Sequence, residues 1–143
     1  MDRRTQPSSI HLNSQPYHSD TRWFRLILYS KIITYADDSV IFTSSKDLDA
    51  IQHNLSEDIN SLASSFRDNE LIINLKKGKT EVMLFGTAKR LSRFDGKELN
   101  LSVNGSRIDT TTNYKYLGVY LDPTLNLDMH FYKTYKKAAG RVN

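Results

Sequence analysis

Residues 23–43 read WFRLILYSKIITYADDSVIFT, which is two apolar, β-branched and aromatic runs on either side of a short polar segment. Such runs around turn-forming residues are typical of two antiparallel strands joined by a tight turn. The polar segment is Ala36-Asp37-Asp38-Ser39, so the sequence predicts a β-hairpin with two adjacent carboxylates at its tip. One Asp is common in a turn, because its carboxylate can accept hydrogen bonds from nearby backbone amides. The turn alone does not require the second Asp.

The segment after the hairpin has the period of an amphipathic helix. Its apolar residues recur at steps of three and four, which places them on one helix face; they are Leu48, Ile51, Leu55, Ile59, Leu62 and Phe66. Ser44, followed three residues later by Asp47, resembles a capping box and predicts the start of the helix. We expect this apolar face to pack on the hairpin and the opposite face, with His53, to meet water.

The rest of the chain predicts further strands and a final helix. Asn104-Gly105 is the strongest short hairpin signal in the chain. Strands are predicted at 71–75, 82–85, 99–103 and 114–121, and a helix begins at Leu127. Gly78-Lys79-Thr80 is not a phosphate-binding loop, because the Gly required five positions before Gly78 is Ile73 and a strand follows instead of a helix. The predicted fold class is α/β (α+β), a mostly antiparallel sheet with a packed amphipathic helix.

Length and composition place the chain among single globular domains. It has 143 residues, 38% hydrophobic and 25% charged, and no Cys. The absence of Cys excludes disulfides, thiolate zinc sites and cysteine nucleophiles. No apolar run approaches the roughly 18 residues of a membrane span, and residues 1–22 show neither a secretory leader nor a structural period. We therefore expect an intracellular protein without a membrane partner, with a poorly ordered lead-in at 1–22.

Charge is segregated along the sequence. Residues 35–70 contain eight acids and two bases, whereas residues 76–97 contain seven bases and two acids. A second basic segment follows near the C-terminus. Two basic segments around an acidic one can hold a polyanion such as nucleic acid, although lysines that only solvate a surface explain the charge as well.

Two carboxylates side by side at a turn repel each other when both are ionised, which favours a cation between them. Oxygen ligands without His or Cys favour Mg²⁺ or Mn²⁺ over zinc, and Mg²⁺ commonly binds one or two carboxylates together with substrate phosphates. Asp37 and Asp38 are therefore candidate metal ligands. The chemistry that such a site supports is phosphoryl or nucleotidyl transfer.

Tyr35-Ala36-Asp37-Asp38 and its flanking strands resemble the catalytic hairpin of reverse transcriptases, specifically those of non-LTR (LINE-type) retrotransposons. The agreement continues in order over residues 32–132. It includes the helix from Lys46, then Leu71-Ile72-Ile73-Asn74, Met83-Leu84-Phe85-Gly86, Asn104-Gly105, Tyr116-Leu117-Gly118-Val119, Leu121-Asp122 and His130. The resemblance implies the later half of a polymerase palm at 23–121 and the start of a thumb-like helix at 122–143.

The resemblance also implies roles for individual residues. Asp37 and Asp38 are the catalytic, metal-binding carboxylates, and Tyr35 lies beneath the primer terminus. Either Lys77 or Lys79 assists the departure of pyrophosphate. Tyr116, Leu117 and Gly118 form the primer-grip strand. The implied activity is RNA-directed DNA polymerisation with Mg²⁺ (or Mn²⁺), an RNA template, a DNA primer and dNTPs.

Parts of the family pattern are missing from this sequence. The two-metal site needs a further Asp on an upstream strand, but the acids before Asp37 are Asp2 and Asp20. The Gly-rich segment and the fingers are also missing, so we expect the chain to be inactive alone unless the remainder of the polymerase is supplied from an upstream reading frame. The alternatives are a non-catalytic nucleic-acid- or protein-binding remnant of a retrotransposon, and an incomplete gene product that aggregates.

Overall fold

The computed structural model describes residues 8–13, 26–36 and 38–141 of the chain, with the side chains of 8–13 left aside. The strands are β1 Ser8–Asn13, β2 Lys31–Tyr35, β3 Asp38–Thr43, β4 Glu81–Leu84, β5 Ser102–Val103, β6 Ser106–Arg107, β7 Asp109–Thr110, β8 Tyr114–Tyr116 and β9 Val119–Leu121. The helices are α1 Leu48–Asp68, α2 Ala88–Leu91 and α3 Asp128–Ala139, with a 3₁₀ turn at Ser92–Phe94. The predicted mixed α/β class, with mostly antiparallel strands, is confirmed.

The predicted hairpin forms the first two strands of a five-stranded sheet. β2 and β3 pair antiparallel with Tyr35 opposite Asp38, and Ala36 in the connection has a positive φ of 52°, which suits the tight two-residue turns of hairpins. Asp38 is therefore the first residue of a strand and not a turn residue. The sheet order is β2-β3-β1-β4-β7.

The centre of the sheet comes from a segment where the sequence analysis expected no regular structure. β1 pairs antiparallel with β3 on one side and with β4 on the other. The physical reason for the difference is that both neighbours supply unpaired backbone groups, so even a polar segment gains a full set of ladder hydrogen bonds there. β7 adds a short parallel pair to β4 at the far edge.

Helix α1 packs on one face of this sheet as predicted. Its apolar residues are buried along the face, including Ile51, Leu55 and Leu62, and they form one core with Ile41 of the hairpin. The helix begins later than the predicted cap at Ser44: Asp47 is the N-cap, and its side chain accepts a hydrogen bond of 3.2 Å from the Asp49 amide. Burial of this face is the main stabilising contribution that we assign to the fold.

An acid inside the α1 packing face was not predicted to be buried. Asp58 is only 1% exposed, and its carboxylate accepts hydrogen bonds from the backbone amides of Leu28, at 2.7 Å, and Tyr29, at 3.1 Å. Thr43 donates to the carbonyl of Tyr29 at 3.3 Å. Because a buried charge needs such partners, Asp58 fixes the chain just before β2 against the helix.

Residues 71–75 were predicted to form a strand and do not. They pair with no strand among the described residues; Ile73 is buried in the core while Ile72 is exposed. The Thr80 hydroxyl donates to the carbonyl of Asn74 at 2.7 Å, which closes this stretch into a loop. The apolar residues of this segment gave it the sequence pattern of a strand. Among the residues that the structure describes, however, no strand lies beside it to pair with its backbone.

Two short hairpins follow β4. The one at Asn104-Gly105 is confirmed, with β5 and β6 paired across two residues of positive φ. The segment 114–121, predicted as a single strand, is instead the hairpin of β8 and β9, with Tyr116 opposite Val119. α3 was predicted and is confirmed, but no residue along it is buried. Within the described part of the chain, no helix has the length and apolar character that a bilayer crossing requires.

Candidate functional site

The two faces of the sheet differ in what covers them. Ile32 and Ile41 lie opposite each other and belong to the core under α1. Side chains alternate between the faces of a strand, so Ile33, Tyr35 and Asp38 lie on the other face. Ile33 and Tyr35 are 54% and 64% exposed. The candidate residues Tyr35 and Asp38 therefore share the sheet face away from α1. This face is accessible at the edge strand β2, whereas Met83, on the same face of β4, is buried.

Asp38 lies at one end of this face, which we call the Asp38 end. β1 runs antiparallel to both β3 and β4, so β3 and β4 start at the same end of the sheet. Glu81, the first residue of β4, alternates with the core residue Val82 and so lies on the same face as Asp38. The other predicted ligand, Asp37, lies outside the described residues.

The β8 strand lies close to Asp38. Burial and the negative charges of Asp38 and Glu81 together raise the pKa of Tyr114 to about 12. Burial and the charge of Asp38 also raise the pKa of Tyr116. Both phenols therefore lie close enough to Asp38 to interact with its charge.

The loop with the candidate lysines lies at the Asp38 end as well, since it leads directly into β4. The loop is closed by a hydrogen bond of 2.9 Å from the Lys79 amide to the Lys76 carbonyl. Gly78 donates its amide to Glu81 at 3.1 Å and has a φ of 79°, which favours glycine. Lys77 and Lys79 are exposed, and nothing in this geometry favours one of them over the other.

The predicted primer-grip residues are divided between a strand and a turn. Tyr116 ends β8, whereas Leu117 and Gly118 form the two-residue turn to β9. Both have positive φ, 46° and 87°, as hairpin turns of this length need. A left-handed conformation costs a branched side chain about 1–2 kcal/mol. Leu117 is nevertheless half-exposed at the tip, so its side chain is available for contact.

Mg²⁺ usually binds one or two carboxylates together with substrate phosphates. Asp38 supplies one such carboxylate, and Asp37 would supply the second. The described residues contain no group of three or more His, Asp or Glu placed to hold an ion. Neither strand beside β3 has an acid: β1 reads SSIHLN and β2 reads KIITY. The upstream Asp therefore has no counterpart in the strand next to the site.

Two contributors to this site were missed by sequence reasoning. Glu81 stood inside a basic segment, and Tyr114 was assigned only to a strand. The alternation of Glu81 with the buried Val82 was a usable signal for its face. No local signal connects Tyr114 with Asp38, since the two residues meet only through the tertiary fold.

Comparison of the chain with protein-family models, with curated proteins and with solved structures finds no match.

Proposed function

We propose that this chain is part of the palm of an RNA-directed DNA polymerase of the non-LTR retrotransposon type, and that it does not polymerise alone. The observation that carries the proposal is the pairing of Tyr35 with Asp38 across a tight hairpin on the sheet face that α1 does not cover. The resemblance of the Tyr35–Asp38 motif supplies the activity. The fold supplies a rigid, accessible setting in which a carboxylate and an aromatic ring lie side by side.

The surroundings of Asp38 support the same function. The resemblance implies that Asp37 and Asp38 hold Mg²⁺ or Mn²⁺, which neutralises phosphate charge during nucleotidyl transfer. The loop with Lys77 and Lys79 lies at the same end of the sheet, where an ammonium can approach a departing pyrophosphate. The exposed ring of Tyr35 offers a surface on which a nucleobase can stack. RNA template, DNA primer and dNTP are the partners that such a face would receive.

The missing carboxylate accounts for the proposed inactivity. The resemblance implies a further Asp on an upstream strand for the two-metal site, and β1 beside β3 contributes no carboxylate. The Asp38 end would then bind a metal ion only weakly. Catalysis would need the Asp strand and the Gly-rich segment that the resemblance implies.

The experiment is a Mn²⁺ titration followed by electron paramagnetic resonance, which counts free Mn²⁺. Asp38→Asn should abolish the weak site of the unmodified chain. The matched control is Asp49→Asn, because Asp49 is an exposed acid on the first turn of α1 away from the hairpin. Equal binding by the unmodified chain and both variants would contradict the proposal.

A second candidate function is a nucleic-acid- or protein-binding remnant without catalysis. The acid-free strand β1 favours it, since the fold then keeps an accessible aromatic face without a complete metal site. In this case Asp38→Asn leaves the binding of a labelled single strand unchanged with and without Mg²⁺. Under the polymerase proposal, Mg²⁺ should strengthen binding to the unmodified chain and not to this variant.

A further inference from the structure

The basic segment 76–97 is divided by the structure into two surfaces. β4 separates the loop with Lys77 and Lys79 from the residues that follow Gly86, and its four residues alone span about 13 Å. β4 ends level with the Thr43 end of β3, because Ser8 of β1 pairs with both Leu84 and Thr43. The second surface therefore lies at the opposite end of the sheet from Asp38.

This second surface, the distal basic surface, consists of Lys89, Arg90, Arg93 and Lys97. Lys89 and Arg90 lie on α2 and Arg93 in the 3₁₀ turn that follows it, while Lys97 ends the next turn, where its amide donates to the Phe94 carbonyl at 2.8 Å. Lys89, Arg93 and Lys97 are exposed and Arg90 is half-buried. Four cations within nine residues thus reach solvent from one short segment.

The backbone beneath these cations is held in place. Phe94 packs against the core under α1. The Gly86 amide donates to the Pro123 carbonyl at 2.9 Å, and a Cβ at Gly86 would come within 3.2 Å of Leu91. Close packing between Gly86 and Leu91 holds the end of α2 against the segment that follows β4. The cations are therefore presented from a fixed base, which lowers the entropy cost of binding.

No acid in the described part of the chain forms an ion pair with the four cations of the distal basic surface. The nearby Glu98 is already paired with Arg107, which leaves Asp95 as the one acid within the segment itself. The surface consequently keeps its positive potential, which attracts an anionic partner.

We propose that the distal basic surface binds the phosphate backbone of a single-stranded nucleic acid, independently of the Asp38 end. Arginine binds phosphate oxygens through two parallel N–H donors, and two of the four cations are arginines. Ser45, two residues before the N-cap of α1, lines one small cavity together with Arg90 and Leu91, so the start of α1 borders the distal basic surface. A flat anionic membrane would meet the acids Asp47 and Asp49 there as well as the cations. A narrow strand can follow the cations alone, which favours a strand over a membrane.

The test measures binding of a fluorescently labelled single-stranded RNA by anisotropy over a range of salt concentrations, in EDTA to remove any metal contribution. The variant is Arg93→Gln with Lys97→Gln. The matched control is Arg67→Gln with Lys133→Gln, which removes the same charge from cations already engaged by Asn104 and by the Tyr120 ring. Circular dichroism melting establishes that each variant folds.

Each phosphate contact contributes about 0.7 to the slope of log affinity against log salt for a single strand. The variant should therefore lose about 1.4 in slope and roughly 10- to 30-fold in affinity at 0.1 M salt, and the control less than about twofold. Equal losses in both proteins would overturn the proposal. So would binding of the unmodified chain to phosphatidylserine vesicles but not to RNA.

Asp38→Asn is included in the same titration and should leave this binding unchanged in EDTA. RNA binding in EDTA therefore tests the distal basic surface independently of the Mn²⁺ titration, which tests the Asp38 end.

Discussion

Helices α1 and α3 both carry apolar and aromatic residues, but only α1 buries them. α1 buries its apolar face against the sheet, whereas α3 buries no residue, and its Phe131 and Tyr135 are largely exposed. α3 is attached to β9 through Lys133, whose ammonium lies 3.9 Å from the centre of the Tyr120 ring. The difference teaches that helical periodicity identifies a face that prefers contact, while the sheet decides which helix obtains it.

The largest test of this comparison removes one apolar side chain from each helix. Leu55→Ala should lower the free energy of unfolding by about 2–5 kcal/mol, because Leu55 is fully buried and leaves a cavity. Tyr135→Ala, at a residue 72% exposed, should change it by less than about 0.5 kcal/mol. Urea unfolding followed by circular dichroism measures both. A comparable loss in the two variants would mean that α3 is packed in solution.

A smaller difference in stability is expected between two carboxylates, Asp58 in α1 and Asp122 before α3. Asp122 accepts hydrogen bonds from Thr124, at 2.8 Å through its hydroxyl, and from the amides of Asn126 and Leu127. Slight burial opposes ionisation, but these hydrogen bonds hold the pKa of Asp122 below its ordinary value. The stability that Asp122 contributes is therefore present at neutral pH and is lost as the pH falls through this lowered pKa.

Asp58→Asn should cost about 1.5–3 kcal/mol, since a buried charged acceptor of two backbone amides is replaced. Asp122→Asn should cost about 0.5–1 kcal/mol, the range of a partly exposed cap. Chemical denaturation at pH 7 gives both values. A larger loss for Asp122→Asn than for Asp58→Asn would contradict this prediction. It would mean that the connection between β9 and α3 contributes more to stability than the segment before β2.

Much of the fold was predictable from sequence because its signals are local. The hairpin at Tyr35–Asp38, the α1 face and the Asn104-Gly105 turn each depend on residues within a few positions of one another. The turn at Leu117-Gly118 was missed because a leucine with positive φ has no sequence signal of its own. Ile10 and Leu12 alternate with polar residues, a weak strand signal that the surrounding polar segment obscured.

The candidate site was predictable only in part. Asp38 and Tyr35 followed from one short motif, and the Asp37 prediction lies outside the described residues. Glu81 and Tyr114 join the site through pairing across β1 and through the folding back of β8. Such contacts depend on the order of strands in the sheet, which local patterns do not specify.

The smallest effect concerns the titration of Tyr114. Burial, Asp38 and Glu81 raise its pKa to about 12 from the usual 10.0. A phenol with a raised pKa stabilises the fold below pH 10, and this contribution is lost as the pH rises from 10 towards 12. Absorbance at 295 nm should show a late tyrosine titration step that is absent in Tyr114→Phe. Asp38→Asn should shift that step to lower pH. A step at the same pH in this variant would mean that β8 does not lie close to Asp38.

The central position of β1 has a consequence for folding kinetics. Ser8 pairs with Leu84, more than half the chain away, whereas β2, β3 and α1 follow one another directly. The hairpin and helix can form from near neighbours, but the sheet stays split into two halves until β1 lies between β3 and β4. Contacts of such large sequence separation slow folding. A chain that begins at residue 26 would expose two open sheet edges, and an added peptide with residues 8–13 could restore the sheet in trans by strand complementation.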